Sequence, residues 1–309
     1  MKCVKCAKKS DKISASNEVK ILLSLKAVAI ETLSKDQRKE AFNALSLAVW
    51  EHYRLYKRIF SFRQTTNPYH ILVSEMMLQQ TQVERVEPKY EQFIKRWPTL
   101  EALSQASLSE VLQMWKGLGY NRRALALHSI ATSSKQQSWQ LPKTQKELLT
   151  LPQVGAATSA AIMVFAYQQK ALYLETNIRR VLLYHFHPHQ ENVTDATLLA
   201  ELEELTEMQT DYKHWYYALL DWGAKLKTLV PNPNRRSAQY AKQSPFENSP
   251  RQVRAKVLFL LQEKGPLEKE KVGQHLPYEM DRIEKALKAL EKEGFIVAQN
   301  SSYGITGEL

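Results

Sequence analysis

Leu151-Pro152-Gln153-Val154-Gly155-Ala156-Ala157-Thr158 is the stretch on which the fold turns. Pro152 cannot continue a preceding helix, and the small residues after Val154 open a new one, so the segment reads as a tight hairpin between two helices. The first N–H groups of such a helix have no intrahelical partner and carry partial positive charge, which makes the turn a ready anion site. The low bulk of Gly155, Ala156 and Ala157 lets a phosphate approach the backbone closely. Taken alone, the pattern also fits any ordinary helix pair.

On both sides of this turn the periodicity stays helical. Phe42, Leu45, Ala48 and Val49 fall on one face of a helix. Further helices are expected at 71–80, 86–95, 100–106, 109–115, 122–132, 145–149, 157–167, 178–184, 198–207 and 215–226. Asn67-Pro68, Trp97-Pro98 and Gly117-Leu118-Gly119 punctuate them. Between Lys225 and Lys256 the chain carries eight basic residues and one acid, Glu247, with four prolines, which reads as a basic linker. Three short helices (251–264, 269–275 and 281–293) and a hairpin over 295–305 then follow the layout of a winged helix. That tail is nearly neutral, with 10 basic and 9 acidic residues, and DNA contact and a packing or dimerisation role both remain open for it.

Composition agrees with a helical chain that meets a polyanion. Of 309 residues, 43 are Lys or Arg against 32 Asp or Glu, a formal charge of +11, and 44% are apolar. That apolar share supports packed cores and excludes a wholly disordered chain, while only 9 glycines argue against Gly-rich nucleotide folds. The length suggests two domains and a small third. No apolar run approaches the roughly 18 residues that span a bilayer, and the apolar patch at 21–25 is too short for a signal-peptide core. Two cysteines cannot build a disulfide framework. The expected setting is cytoplasmic or nucleoid-associated, without membrane contact.

Five motifs together resemble a known family. Asn67-Pro68-Tyr69 with Ser74-Glu75-Met76-Met77-Leu78-Gln79-Gln80-Thr81-Gln82-Val83, then Trp115–Tyr120, Leu151–Thr158, Asn177-Ile178-Arg179-Arg180-Val181 and Leu220-Asp221-Trp222-Gly223-Ala224 occur in the order and at the spacing of the helix-hairpin-helix (HhH-GPD) DNA glycosylases. The resemblance is closest to the adenine glycosylases of the MutY type and covers about 36–230. It implies an all-α, two-lobed core with a substrate cleft between its lobes, here followed by a small α+β winged-helix-like domain. The division is then an N-terminal extension (1–35), the glycosylase core (36–230), the basic linker (231–249) and the winged-helix-like domain (250–309). One lobe is expected to hold 35–63 with 172–229, the other 67–168.

Glycosidic cleavage explains why certain residues matter. The base must be rotated out of the duplex; an acid then protonates it, and a carboxylate stabilises the cationic sugar. The resemblance puts Glu75 at the acid and Glu175 at the second carboxylate. It also implies DNA contacts from Gln79, Gln80 and Tyr120 beside the lesion, from Gln153, Val154, Gly155, Ala157 and Thr158 at the hairpin, and from Asn177 and Arg179. Ala157 stands where bifunctional members carry a nucleophilic lysine, so hydrolysis that leaves an abasic site uncut is expected. The partner is then duplex DNA with a mispaired or damaged base, bound by a monomer. The base is expected to be adenine opposite guanine or 8-oxoguanine. Thymine or uracil mismatch repair and a catalytically weak lesion-binding protein are the alternatives.

Departures from the family pattern sharpen these expectations. Glu175-Thr176-Asn177 replaces Asp-Gly-Asn, and one methylene moves a carboxylate by more than ~1 Å, a shift that can cost ~10²-fold in rate. Gln153 replaces the first glycine of the hairpin, at a backbone angle that suits glycine. No cysteine follows Cys6, so no 4Fe-4S cluster is expected, and the 8-oxoguanine recognition domain of common adenine glycosylases is not found. No metal site is expected: the pair Cys3-x-x-Cys6 lacks the further ligands zinc needs, and His185-Phe186-His187-Pro188-His189 is read as a solvated loop. A monovalent cation held by hairpin carbonyls is compatible with the resemblance.

Overall fold

The computed structural model describes residue 25 and residues 27–308, so Cys3 and Cys6 lie outside the described residues. Its helices are α1 (Lys35–Tyr56), α2 (Pro68–Leu78), α3 (Val83–Arg96), α4 (Leu100–Ser104), α5 (Leu108–Trp115), α6 (Arg122–Ser133), α7 (Gln145–Leu148), α8 (Ala156–Phe165), α9 (Thr176–Phe186), α10 (Asp195–Glu207), α11 (Tyr212–Leu229) and α12 (Pro250–Lys264). They are followed by β1 (Leu267–Glu268), α13 (Lys269–His275), α14 (Met280–Lys292), β2 (Ile296–Gln299) and β3 (Ser302–Ile305). The chain forms two compact units. One joins Met1–Thr66 to Ala156–Ala241, the other Asn67–Gly155 to Lys242–Leu309.

In the first unit α1 starts on a reciprocal cap: Gln37 N donates to Ser34 Oγ and Ser34 N to Gln37 Oε1, worth about 1 kcal/mol. Phe42, Leu45 and Val49 are buried along its inner face, and α11 packs on both α1 and α9 around Trp215, Tyr216 and Trp222. The expected lobe boundary near 168 falls instead at 155, because α8 joins this unit. Phe165 stacks on Tyr217 of α11 at 4.5 Å and meets Tyr173 edge-on.

The solvated-loop reading is overturned for His185 and His187, while His189 is exposed in the turn that follows. His185 lies inside α9, 2% exposed, and accepts a bond from Trp222 Nε1 at 2.9 Å; burial pushes its pKa down to about 3. His187, 1% exposed, bonds Glu201 at 2.8 Å and Gln190 at 2.8 Å. Helix α9 and the pull of Trp222 and Glu201 draw both rings inward, a tertiary effect that Pro188 and a local reading conceal.

In the second unit α2 is a nearly all-apolar core helix started by Asn67, whose side chain accepts from Tyr69 N and His70 N. Pro68 sits in its first turn, where no N–H is missed. Helices α3 and α6 pack on it, and α4 and α5 pack on α6, with Phe93, Leu103, Leu112, Trp115 and Leu127 buried. The tail belongs to this same unit: Gln262 Nε2 donates to Ser109 O at 3.1 Å, and Lys116 lies over the Phe259 ring. Its sheet has the order β1-β3-β2, all antiparallel. The hairpin turn Asn300-Ser301 has φ of 49° and 65°, the left-handed pair that matches strand twist in a two-residue loop. Strand β1 was not expected from sequence, since two residues show no alternation.

Candidate active site

Within the first unit the geometry converges on the start of α9. Glu175 is its N-cap, with Oε1 accepting from Asn177 N (2.5 Å) and Ile178 N (2.9 Å) and Oε2 from Asn177 Nδ2 (3.3 Å). The extra methylene of Glu lets the carboxylate fold back over its own helix terminus. Burial pushes its pKa up, against the two backbone N–H groups and the charges of Arg180 and Arg179, which pull it down. Arg180, 5% exposed, ties the constellation together: Nη1 donates to Asn177 Oδ1 at 2.6 Å and to Gly223 O at 2.8 Å. At Gly223 a Cβ would stand 2.2 Å from Asn177 O, so only glycine lets α11 come this close to α9. Asp221, two residues earlier, accepts from Arg58 and Arg63 and is almost fully buried.

Arg179 is turned elsewhere. Its guanidinium pairs with both oxygens of Asp195 and reaches Ser237 Oγ, so it braces α9 on α10.

Within the second unit Glu75 lies on α2, half-buried between the buried Ser74 and Met76. Just beyond, the chain leaves the helix at Gln79 and turns at Gln80, whose φ is 55°. Tyr120 has φ 50° and is 39% exposed. Two probing side chains thus stand on left-handed backbone, a strain of about 1 kcal/mol each for a non-glycine residue. What holds them is Arg123, a residue the sequence reading passed over. It is 3% exposed and donates to Met76 O (2.5 Å), Met77 O (3.0 Å), Gln79 O (2.6 Å), Leu118 O (3.1 Å), Gly119 O (2.7 Å) and Tyr120 O (3.3 Å). A cation satisfied by carbonyls at a helix C-terminus also complements the helix dipole. Burial pushes its pKa down to about 10, so it stays charged at neutral pH. The sequence signal was faint: Arg122 and Arg123 are adjacent, and nothing local says which one is buried.

The hairpin presents Pro152, Gln153, Gly155 and Ala156 at the surface, while Val154 and Thr158 are buried and Ala157 is half-buried. Val154 N closes the turn on Leu151 O at 3.2 Å. Gln153 adopts φ 59°, the angle that suits glycine, and a Cβ at Gly155 would meet nothing within 4 Å. Backbone at the tip is therefore approachable, while the Val154 and Thr158 side chains are buried beneath it. Among the described residues no group of three or more His, Cys, Asp or Glu is arranged to hold a metal ion.

These features define a helix-hairpin-helix fold with a capped carboxylate and two exposed side chains on left-handed backbone, Gln80 and Tyr120. Residues 73–208 match the family described as HhH-GPD superfamily base excision DNA repair protein. It is 38% identical over 167 residues to an adenine DNA glycosylase of Mycolicibacterium smegmatis, covering 54% of this chain and 57% of that one. It is 35% identical over 186 residues to that of Buchnera aphidicola, covering 60% and 52%. The chain thus spans about half the length of these curated relatives. A solved thermostable thymine-DNA glycosylase superposes with a TM-score of 0.53 at 25% identity, over 60% of this chain and 87% of its own. A trapped endonuclease III–DNA covalent intermediate, at TM-score 0.50 and 16% identity over 63% and 88%, shares the fold.

Proposed function

We propose that this chain is a monofunctional DNA glycosylase that removes adenine from a mispair in duplex DNA, opposite guanine or 8-oxoguanine, and leaves an abasic site. The observation that carries the reading is the Glu175 carboxylate, built into the start of α9 by Asn177, Arg180 and Gly223, in a chain similar to adenine DNA glycosylases. In this mechanism Glu75 protonates a ring nitrogen of the extruded adenine, which leaves with the bonding electrons. The ionised Glu175 stabilises the cationic sugar, and water adds its oxygen to C1′ and releases a proton. Ala157 offers no nucleophile, so no covalent enzyme–sugar bond forms.

The surface-exposed hairpin backbone at Gly155 and the basic linker supply the phosphate contacts, and affinity then falls steeply with salt as counterions are released. A monovalent cation at the hairpin, held by carbonyls of the 148–154 turn, would add to this; replacing K⁺ by a large organic cation tests it through DNA affinity. The deciding experiment incubates the protein with duplexes that each hold one altered pair and then applies alkali. Strand breaks at adenine opposite guanine, lost in Glu75→Gln, support the proposal. Breaks confined to thymine or uracil opposite guanine would give the assignment to the second reading, which the similarity to a thymine-DNA glycosylase favours. Tight binding without any break would leave a lesion-binding protein.

A further inference from the structure

The tail reaches the probing residues themselves. Gln243 Nε2 donates to Gln80 Oε1 at 3.3 Å, and Arg251 Nη1 donates to the Tyr120 hydroxyl at 3.4 Å. Arg251 is itself held, since its Nη2 donates to Ser244 O at 2.7 Å and to Ser244 Oγ at 3.3 Å. The tail is pinned to the same turn by Glu293, which pairs with Arg122 and with Arg254. These two arginines hold the Glu293 carboxyl below the usual range, although burial works against them. Glu293 also lines a cavity of about 250 Å³ with Arg122, Ala126, Pro152 and Gln153, which brings the tail to the hairpin as well.

These contacts have a direction. An amide oxygen that accepts from Gln243 turns the Gln80 NH₂ group outward, and a hydroxyl oxygen that accepts from a guanidinium keeps its own proton for donation. Beneath, Arg123 fixes both backbones, so the two probes cannot reorient by shifting the chain.

We propose that Gln243 and Arg251 are specificity-determining residues: they set Gln80 and Tyr120 as hydrogen-bond donors, which selects an opposite base with acceptors on its edge. On the major-groove edge guanine, with O6 and N7, fits; cytosine, which presents only its amino donor there, does not. This rests on the glycosylase reading, and it gives the tail a part in base recognition.

The test measures equilibrium binding of the full chain, carrying Glu75→Gln so that no base is released, to duplexes with adenine opposite guanine and adenine opposite cytosine. Gln243→Glu replaces the donor by acceptors, so Gln80 turns its NH₂ inward and its oxygen outward. The guanine-over-cytosine preference is expected to fall about tenfold, with a smaller loss of about threefold in Gln243→Ala. Arg251→Ala should also lower the ratio, and should add nothing once Tyr120→Phe has removed the hydroxyl. A ratio within twofold of the parent in both Gln243→Glu and Arg251→Ala overturns the inference and leaves the two residues as struts. Base release by the chain with Glu75 intact is scored separately. Its absence defeats the glycosylase reading, while the binding ratios still decide the inference.

Discussion

Arg123 and Arg180 are both buried, both lack a direct carboxylate bond, and both hold backbone in place, yet they do different work. Arg123 spreads its donors over six carbonyls and so fastens the end of α2 to the turn before α6. Arg180 makes two bonds, one to the Asn177 side chain and one to Gly223 O. The first region is a scaffold under exposed surface residues, and its cost of failure is structural. The second is a fine adjustment beside a carboxylate, and its failure is chemical. The contrast separates variants that unfold the protein from variants that misplace one group.

The largest effect is expected at Arg123. Arg123→Met takes a donor from six carbonyls, of which the buried Met76 O and Met77 O have no other, and unsatisfied buried groups cost on the order of 1–3 kcal/mol each before relaxation. A loss of about 3 kcal/mol or more in urea unfolding is expected, together with loss of base release. Arg123→Lys keeps the charge but not the fork of donors, and should fall between the two. If Arg123→Met unfolded at the parent's urea midpoint, the scaffold role would be wrong.

Gly223→Ala is expected to invert that balance. Its Cβ would overlap Asn177 O, and overpacking costs about 1–3 kcal/mol. The displaced start of α9 should lower single-turnover base release about 100-fold while DNA affinity changes less than threefold. Equal losses in rate and affinity would sink the idea that this site is a chemical adjustment.

Glu175→Asp comes next. A shorter carboxylate keeps a good N-cap but falls short of Asn177 Nδ2, and a rate loss of about tenfold is expected; a gain would show that the methylene is the obstacle. Because burial raises the Glu175 pKa and the carboxylate must be ionised, the acid limb of the rate profile should lie above the ordinary value for a glutamate. An acid limb below that value would separate Glu175 from the reaction.

The two buried histidines give a pH signature for stability with opposite signs. His185 has a depressed pKa, so its contribution is present above the unfolded value of about 6.5 and is lost as pH falls towards 3. Burial lowers the His187 pKa, but the bond to Glu201 and its charge outweigh that and leave it raised. Its contribution is therefore full below about 6.5 and is lost as pH rises through the folded value. Glu201→Gln should remove the alkaline decline in Tm and leave the acid one.

The smallest effect concerns Gln153. With φ at 59°, Gln153→Gly relieves about 1 kcal/mol of backbone strain, partly offset by the greater freedom of glycine in the unfolded chain. A net gain under ~1 kcal/mol in unfolding free energy is expected, and a loss would show that the Gln side chain makes a stabilising contact.

Much of this molecule was determined by the sequence alone. Helix periodicity, the prolines at 68 and 152 and the Asn and Ser caps place nearly every helix within a few residues, because those signals act within one turn. The motif around Glu75, the Asn177 amide and the glycine at 223 were legible through the family resemblance of the motifs that hold them. Tertiary structure alone decided which of two adjacent arginines is buried, that α8 leaves the hairpin's unit for its stacking on Tyr217, that His185 and His187 lie inside, and that the tail rests on Tyr120 and Gln80. These depend on partners distant in sequence, from 14 positions for Glu201 on His187 to 37 for Trp222 on His185 and 131 for Arg251 on Tyr120, or on desolvation that several elements create together. Local patterns record which residues can form a helix face, but burial belongs to the surfaces that meet it.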